Sequence, residues 1–185
     1  MQDSVSLREV CEYRCDRPRA VGDTFRPVGC FKVQHFRAGK LLAEFDVPNG
    51  IVDVGLNHIL ETEFHAGTPI TTWYIGLVNN AGFSAFNNAD IMSSHAGWVE
   101  TTNYDGANRP QWTAGTAAGR AITNAVTADF TISDTLTVKG LFICGGTGAA
   151  SKGGTTGTLW SSAAFSSTIP VIDDDVLKIT YGLSG

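Results

Sequence analysis

Alternation of apolar and polar residues is the clearest pattern along the last third of the chain. From Val126 to Ser133 every second residue is apolar, and Leu177, Ile179 and Tyr181 repeat the same spacing near the end. A period of two is typical of a strand that buries one face. Further strands are predicted at Phe31–Phe36, Leu41–Val47, Thr71–Val78, Trp98–Thr102, Pro110–Thr113, Thr135–Cys144 and Thr158–Phe165.

Two of the connections between these strands predict hairpins. Ala38 and Gly39 separate the first two strands, and in the first of these strands Phe31, Val33 and His35 share one face. The other connection is the Ser133–Asp134 step, across which we expect the two neighbouring strands to pair. Tight turns favour small and polar residues of this type.

One segment has a helical period instead. Leu56, Ile59, Leu60 and Phe64 fall on one face of a helix predicted at about 53–65, with Asp53 as its N-cap. Gly67 and Pro69 follow it and are predicted to end the helix. The strand at residues 71–78 comes next and is apolar on both faces, which favours a central place in a sheet. The helix is expected to cover one of those faces.

Composition agrees with a β-rich domain. The chain has 185 residues, of which 43% are hydrophobic and 17% charged, and 21 are glycine. Few charges and many turn residues are typical of all-β proteins. We therefore predict an antiparallel β-sandwich, jelly-roll-like, over residues 30–185, preceded by an extended arm over residues 1–29.

The arm differs from the body in charge. Residues 1–40 carry a net charge of +3, and residues 41–185 carry −8. This asymmetry favours an arm that docks on an acidic partner surface. Four arginines are the predicted contacts, because guanidinium groups form forked bonds with carboxylates: Arg14, Arg17, Arg19 and Arg26. The alternative is a solvated arm without a partner. So polar a segment buries little apolar surface of its own, which favours contact with a neighbouring chain that orders it.

Three cysteines lie in or next to the arm. Cys11, Cys15 and Cys30, with His35, could form a Cys₃His zinc site, although their spacing does not match a zinc knuckle. A disulfide is the second possibility, and reduced thiols are the third and favoured one. The N-terminus lacks the apolar core of a signal peptide, which predicts synthesis in the cytosol.

Known catalytic motifs do not fit the remaining candidates. The glycine-rich loop at residues 145–157 lacks the G-K-[ST] end of a phosphate-binding loop, so it is interpreted as a flexible turn. Asp173, Asp174 and Asp175 lack the alternation of a calcium loop and are interpreted as a charged turn. We predict neither an enzyme nor a cofactor or metal site. Nucleic acid is also excluded as a partner because the body is acidic, and no apolar run is long enough for a membrane span.

Residues 79–96 form a long loop rich in asparagine, serine and alanine. Loops of this length in a compact domain are usually functional or mediate interactions. Phe83, Phe86, Ile91 and Met92 within it either anchor the loop in the core or contact a partner.

Several segments together resemble small virion structural proteins of tailed bacteriophages. The resemblance spans about residues 31–185 and is carried by GLNHILETEFHAGTPITTWYIGLVNNAGFSA, SSHAGWVE, RPQWT, KGGTTGTLWSSAAFSS and DDDVLKITYGLS. It implies a β-sandwich protein that is encoded together with head and tail proteins. Some proteins of this kind decorate capsids. The resemblance implies no catalytic residues.

The first functional hypothesis is a capsid cement or decoration protein. It would bind the major capsid protein on the outer surface of the head, as a dimer or trimer, with the arm crossing subunit seams. The alternative is a tail-fibre, tail-tip or receptor-binding module, in which tryptophans would form a sugar platform: Trp73, Trp98, Trp112 and Trp160.

Overall fold

The computed structural model describes residues 27–185, which form eleven strands and one helix. In chain order these are β1 (Val28–Arg37), β2 (Lys40–Pro48), β3 (Gly50–Ile51), α1 (Asp53–Phe64), β4 (Trp73–Asn79), β5 (Glu100–Thr101), β6 (Gln111–Trp112), β7 (Ala121–Thr123), β8 (Ala128–Thr131), β9 (Leu136–Gly145), β10 (Thr158–Val171) and β11 (Val176–Ser184).

The strands form two antiparallel sheets, which confirms the predicted sandwich-like, mainly β fold. The first sheet has the order β2-β1-β11-β7, and β8 also pairs with β11. The second sheet has the order β3-β10-β9-β4-β5, and β6 also pairs with β4. Among the described residues, no helix has both the length and the apolar character needed to cross a membrane.

The main core lies between the sheets. Leu177, Ile179 and Tyr181 are buried, as their alternation predicted, and they face Phe31 and Val33 of β1. The ring of Phe31 lies 4.5 Å from that of Tyr181. Burial of these side chains is the main source of stability, since each large apolar side chain removed from water contributes about 1.5–3 kcal/mol.

A second apolar cluster covers the outer face of the second sheet. Val78 of β4 and Phe142 of β9 contact Met92 and Trp98 from the long loop after β4. The prediction that β4 is buried on both faces is therefore confirmed. The loop, joined by Val54 of α1, supplies this outer cover. Its aromatic residues anchor it in the core, as Phe83 and Phe86 also pack on this cluster, while Ile91 is 39% exposed.

The helix occupies its predicted residues but packs differently. Its N-cap is Val52, without a side-chain cap, so the assignment of Asp53 as the cap is wrong. It approaches β10 closely at Gly55, where a Cβ would lie 2.6 Å from the carbonyl oxygen of Trp160. This close approach turns Leu60 and Phe64 toward solvent, so the predicted apolar face is wrong at these two residues.

One predicted hairpin is confirmed and the other is wrong. Ala38 and Gly39 join β1 to β2 with φ values of 48° and 76°, as a two-residue hairpin turn requires. The Ser133–Asp134 step instead crosses between sheets, because β8 pairs with β11 while β9 pairs with β4 and β10. The apolar run at the end of β9 needs cover on both faces, which the centre of the second sheet provides.

Candidate interaction surfaces

A groove of about 860 Å³ lies where the two sheets end on the same side of the sandwich. One wall is β2, the outermost strand of the first sheet, and the other is the second half of β10. β10 loses its register with β9 between Ala164 and Ile169, which opens this side. The apolar part of the lining comes from Leu42, Phe45, Leu136, Ile169, Pro170 and Ile172. We call this feature the edge groove.

Large apolar side chains are exposed at the edge groove. Leu42 is 47% exposed and Ile172 is 41% exposed, and both line it. Leu41, the neighbour of Leu42, is 44% exposed but does not line the groove. Exposed apolar side chains that gather around a concave surface are typical of binding sites.

Three charged or titratable residues meet at the end of the edge groove. Asp175 accepts hydrogen bonds from Nε and a terminal nitrogen of Arg37 at 2.8 and 2.7 Å, and His35 Nε2 lies 2.8 Å from the same carboxylate. The backbone N–H of Ile172 donates a further bond. The bonds from Arg37, then those from Ile172 and His35, hold the pKa of Asp175 well below its usual range, against the opposing effect of burial. Asp175 is thus a buried structural anchor rather than part of a charged turn.

The outward face of β2 is acidic. Glu44 accepts a hydrogen bond from Lys32 Nζ at 2.9 Å. Asp46 lies opposite Lys32 in the strand register, yet its Oδ1 is buried and has no hydrogen-bond partner within residues 27–185. Burial raises the pKa of Asp46, although the charge of Lys32 opposes this shift. This side of the edge strand therefore favours a donor or a positive charge.

The glycine-rich loop is held by a buried ion pair. Arg109 Nε and a terminal nitrogen donate to the two oxygens of Glu100 at 2.8 and 2.6 Å. Arg109 also donates to the carbonyls of Ala149 and Gly154, and the N–H of Gly153 donates to Glu100. The loop consists of turns, as interpreted from the sequence, and these bonds connect it to the body of the domain. The only sign of this pair in the sequence is an arginine just before a strand. No spacing between residues identifies Glu100 as its partner.

The end of α1 carries a second exposed apolar surface. Phe64 is 82% exposed and Leu60, one turn earlier, is 51% exposed. We call these two residues the helix-end patch. Beside them, His65 Nδ1 lies 2.7 Å from an oxygen of Glu61. An aromatic ring at this exposure is unusual for a folded domain and is typical of an interaction anchor.

The predicted tryptophan platform is not on the surface. Trp98, Trp112 and Trp160 are buried, and the ring of Trp73 packs edge-on against that of Trp160 at 5.9 Å. The Nε1 group of Trp160 donates to the hydroxyl of Tyr181 at 2.7 Å. These residues support the core, so the proposed sugar-binding role for them is wrong.

All four predicted arm contacts, Arg14, Arg17, Arg19 and Arg26, lie outside the described residues, and so do Cys11 and Cys15. Cys30 and His35 lie in β1 at positions of opposite parity, so their side chains leave opposite faces of the strand. They are therefore not ligands of one zinc ion.

The net charge of residues 1–40 does not describe the arm alone. Residues 1–29 hold five arginines and five carboxylates, so this segment is neutral as a whole. The excess of +3 assigned to residues 1–40 comes from Lys32, Arg37 and Lys40, which belong to the β1–β2 hairpin of the body. Within the arm, net positive charge is confined to residues 13–29, which hold four arginines and two aspartates.

The chain matches no protein-family model, and no curated protein is similar to it in sequence.

Proposed function

We propose that the chain is a non-enzymatic structural protein of a tailed-phage virion, of the capsid decoration type. Two lines of support lead to this proposal. The sequence resemblance favours a virion protein, and a mainly β, sandwich-like domain with one helix is the fold that the resemblance implies. The buried carboxylates of Glu100 and Asp175 bond to Arg109 and Arg37, and they hold loops and strands of the domain itself.

The observation that carries the binding role is the helix-end patch. Phe64 projects from a helix that is fixed to β10 through Gly55, so the ring is presented by a braced element. Because the backbone of this helix is already ordered, binding would restrict only the side chain of Phe64. We assign this patch to the contact with the major capsid protein.

The arginines of the arm form the second part of the proposed contact. Arg14, Arg17, Arg19 and Arg26 lie within the part of the arm that carries net positive charge. Forked bonds from guanidinium groups to carboxylates would direct this part of the arm to acidic positions along a capsid seam. A dimer or trimer would place several arms on neighbouring seams, so that binding to the assembled lattice exceeds binding to one subunit.

Binding to heads assembled without the protein tests the helix-end patch. Phe64→Ser in the full chain is expected to weaken binding by about tenfold or more, as the loss of an aromatic anchor does. Val126→Ser is the matched control, because Val126 is 63% exposed and lies in a different part of the fold, before β8. Equal binding by the two variants would contradict the assignment of the patch.

The arm is tested by changing Arg14, Arg17, Arg19 and Arg26 to glutamine in the full chain. Head binding is expected to fall and to lose most of its dependence on salt, because exposed charge pairs are screened. Arg120→Gln is the control, since Arg120 is exposed in the body. Binding that remains as strong and as salt-dependent as in the unchanged chain would contradict a role of the arm.

A further inference from the structure

β2 is an open edge of the first sheet among residues 27–185. It pairs with β1 on one side, and no described strand pairs with its other side. Five of its nine residues, from Lys40 to Glu44, are exposed. Backbone N–H and C=O groups along such an edge can pair with an added strand. An extended segment can thus continue the first sheet beyond β2.

The regular part of this edge is short. The register with β1 shifts between His35 and Phe36, which leaves Leu42 as an additional residue in β2. At the other end, Pro48 has no N–H group to donate. An added strand would therefore pair with residues 43–47, which lie between the bulge and the proline.

The inward face of this span is apolar. Phe45 lies opposite the buried Val33, so the odd-numbered residues of the span face the interior. Phe45 lines the edge groove, and its ring packs edge-on against that of Phe165 at 5.3 Å. The exposed side chains of Leu42 and Ile172 line the same groove. An apolar side chain that lies opposite Phe45 in an added strand would enter the groove and remove these side chains from water.

The outward face of the same span is acidic. Glu44 and Asp46 lie two residues apart on this face, opposite Gln34 and Lys32 of β1. Lys32 Nζ bonds to Glu44 at 2.9 Å, while Oδ1 of Asp46 has no hydrogen-bond partner within residues 27–185. One lysine thus serves two carboxylates. Two basic side chains at the same spacing in an added strand would complement them, since bonds between charged groups are the strong ones.

A second copy of the chain does not fit this edge. A two-fold pairing that uses most of the span is centred on Glu44, Phe45 or Asp46. Centred on Phe45, it places Glu44 opposite Asp46 of the copy. Centred on either carboxylate, it places that residue opposite its own equivalent. Like charges directly opposite each other in a sheet are destabilising, so the edge favours a different and positively charged partner.

We propose that the open edge of β2 binds an extended segment of another protein in which apolar residues alternate with lysine or arginine. Within five residues of this segment, the second and fourth are basic and face Glu44 and Asp46. The apolar residue between them enters the edge groove beside Phe45. This pattern reads the same from both ends, so it fits either direction of the added strand. The proposal goes beyond the role in a virion and does not depend on it.

Two synthetic peptides of the same composition test the pattern on the full chain. Acetyl-Thr-Val-Lys-Val-Arg-Val-Thr-amide alternates, and acetyl-Thr-Val-Val-Lys-Arg-Val-Thr-amide does not. Isothermal titration calorimetry should show at least about tenfold tighter binding of the alternating peptide, because it alone places both charges on one face and the valines on the other. Equal affinities, or no binding of the alternating peptide, would overturn the proposal.

The acidic face is tested by removing its charges. Glu44→Gln with Asp46→Asn should weaken binding of the alternating peptide by at least about threefold and reduce its dependence on salt. Glu63→Gln with Asp105→Asn is the matched control, because both residues are exposed and neither lines the edge groove. The control should bind within about twofold of the unchanged chain. Equal affinities of the two double variants would contradict the assigned role of the carboxylates.

The groove is tested at its exposed leucine. Leu42→Ser should weaken binding by about threefold or more, because apolar surface that the peptide covers is lost. Leu41→Ser is the control, since the two leucines are similarly exposed and Leu42 alone of the two lines the groove. Equal effects of the two changes would contradict binding in the groove.

Amide hydrogen exchange in the unchanged full chain shows where the peptide lies. In residues 43–47, the N–H groups that do not bond to β1 should exchange at least about tenfold more slowly when the alternating peptide is saturating. Unchanged exchange there, despite peptide binding, would overturn the proposal. Protection of these groups without peptide would also overturn it, because another part of the chain or a second copy would then occupy the edge.

Discussion

Arg109 and Glu100 form a two-pronged ion pair inside the protein, with N–O distances of 2.8 and 2.6 Å. The guanidinium also bonds to two carbonyls of the glycine-rich loop, and the carboxylate accepts the N–H of Gly153. The pair thus connects β5 with a loop distant in sequence. This loop has five glycines between residues 145 and 154, and three of its backbone groups bond to the pair.

Loss of the arginine should be costly. Arg109→Ala is expected to lower the free energy of unfolding by about 3–5 kcal/mol, because it leaves Glu100 buried without its partner. Lys178→Ala is the control, since the exposed pair of Lys178 with Asp129 should contribute less than about 1 kcal/mol. Urea unfolding of both variants measures the difference. Similar losses in the two variants would contradict the structural role of the buried pair.

Stability should fall in acid because of Asp175. The pKa of its carboxyl is lower in the folded protein than in the unfolded chain, since Arg37, Ile172 and His35 bond to the charged form. Its contribution is therefore complete above the unfolded pKa of about 4 and is lost as the pH falls below that value.

Asp175→Asn tests this expectation. The variant should lose about 1–3 kcal/mol at pH 7 and show a weaker decline of stability below pH of about 4. Asp173→Asn is the matched control, because Asp173 is exposed in the same turn. Thermal unfolding measured over a pH series gives both quantities. A decline in acid as steep in the Asp175 variant as in the unchanged chain would show that other groups cause it.

Gly55 should not tolerate a methyl group. Alanine favours helices over glycine by about 1 kcal/mol, but its Cβ would lie 2.6 Å from the carbonyl oxygen of Trp160. We expect Gly55→Ala to lower the free energy of unfolding by about 1–3 kcal/mol, since the helix must move away from β10. Asn57→Ala, at an exposed position of the same helix, should be neutral or slightly stabilising. A more stable Gly55→Ala protein would contradict this packing.

The sequence predicted the strands where alternation is long enough to read. β1, β2, β9, β10 and β11 each extend over nine or more residues, and each was located within a few residues of its observed start. β3 and β7, of two and three residues, were missed, whereas the equally short β5 and β6 lie within the predicted runs Trp98–Thr102 and Pro110–Thr113. Pairing was harder to predict, since the turn at Ser133 and Asp134 has the composition of a hairpin whether or not the chain changes sheets.

The candidate surfaces were less predictable than the strands. The helical period of α1 indicated a buried Phe64, but Phe64 is exposed. The contact of Gly55 with β10 decides which side of the helix packs, and the pattern of apolar residues does not indicate this contact. The edge groove likewise depends on the change of register in β10, which leaves no mark in the sequence. His35 was placed correctly on the inward face, although its partner Asp175 is 140 residues away and was assigned to solvent.

The number of copies per virion tests the proposed function most directly. Quantitative mass spectrometry of purified particles, with the major capsid protein as the internal reference, gives this number. A decoration protein that binds repeated sites on the head should be present in on the order of hundreds of copies. A handful of copies per particle would contradict capsid decoration and favour a component of the tail, and absence from the particle would contradict a virion protein altogether.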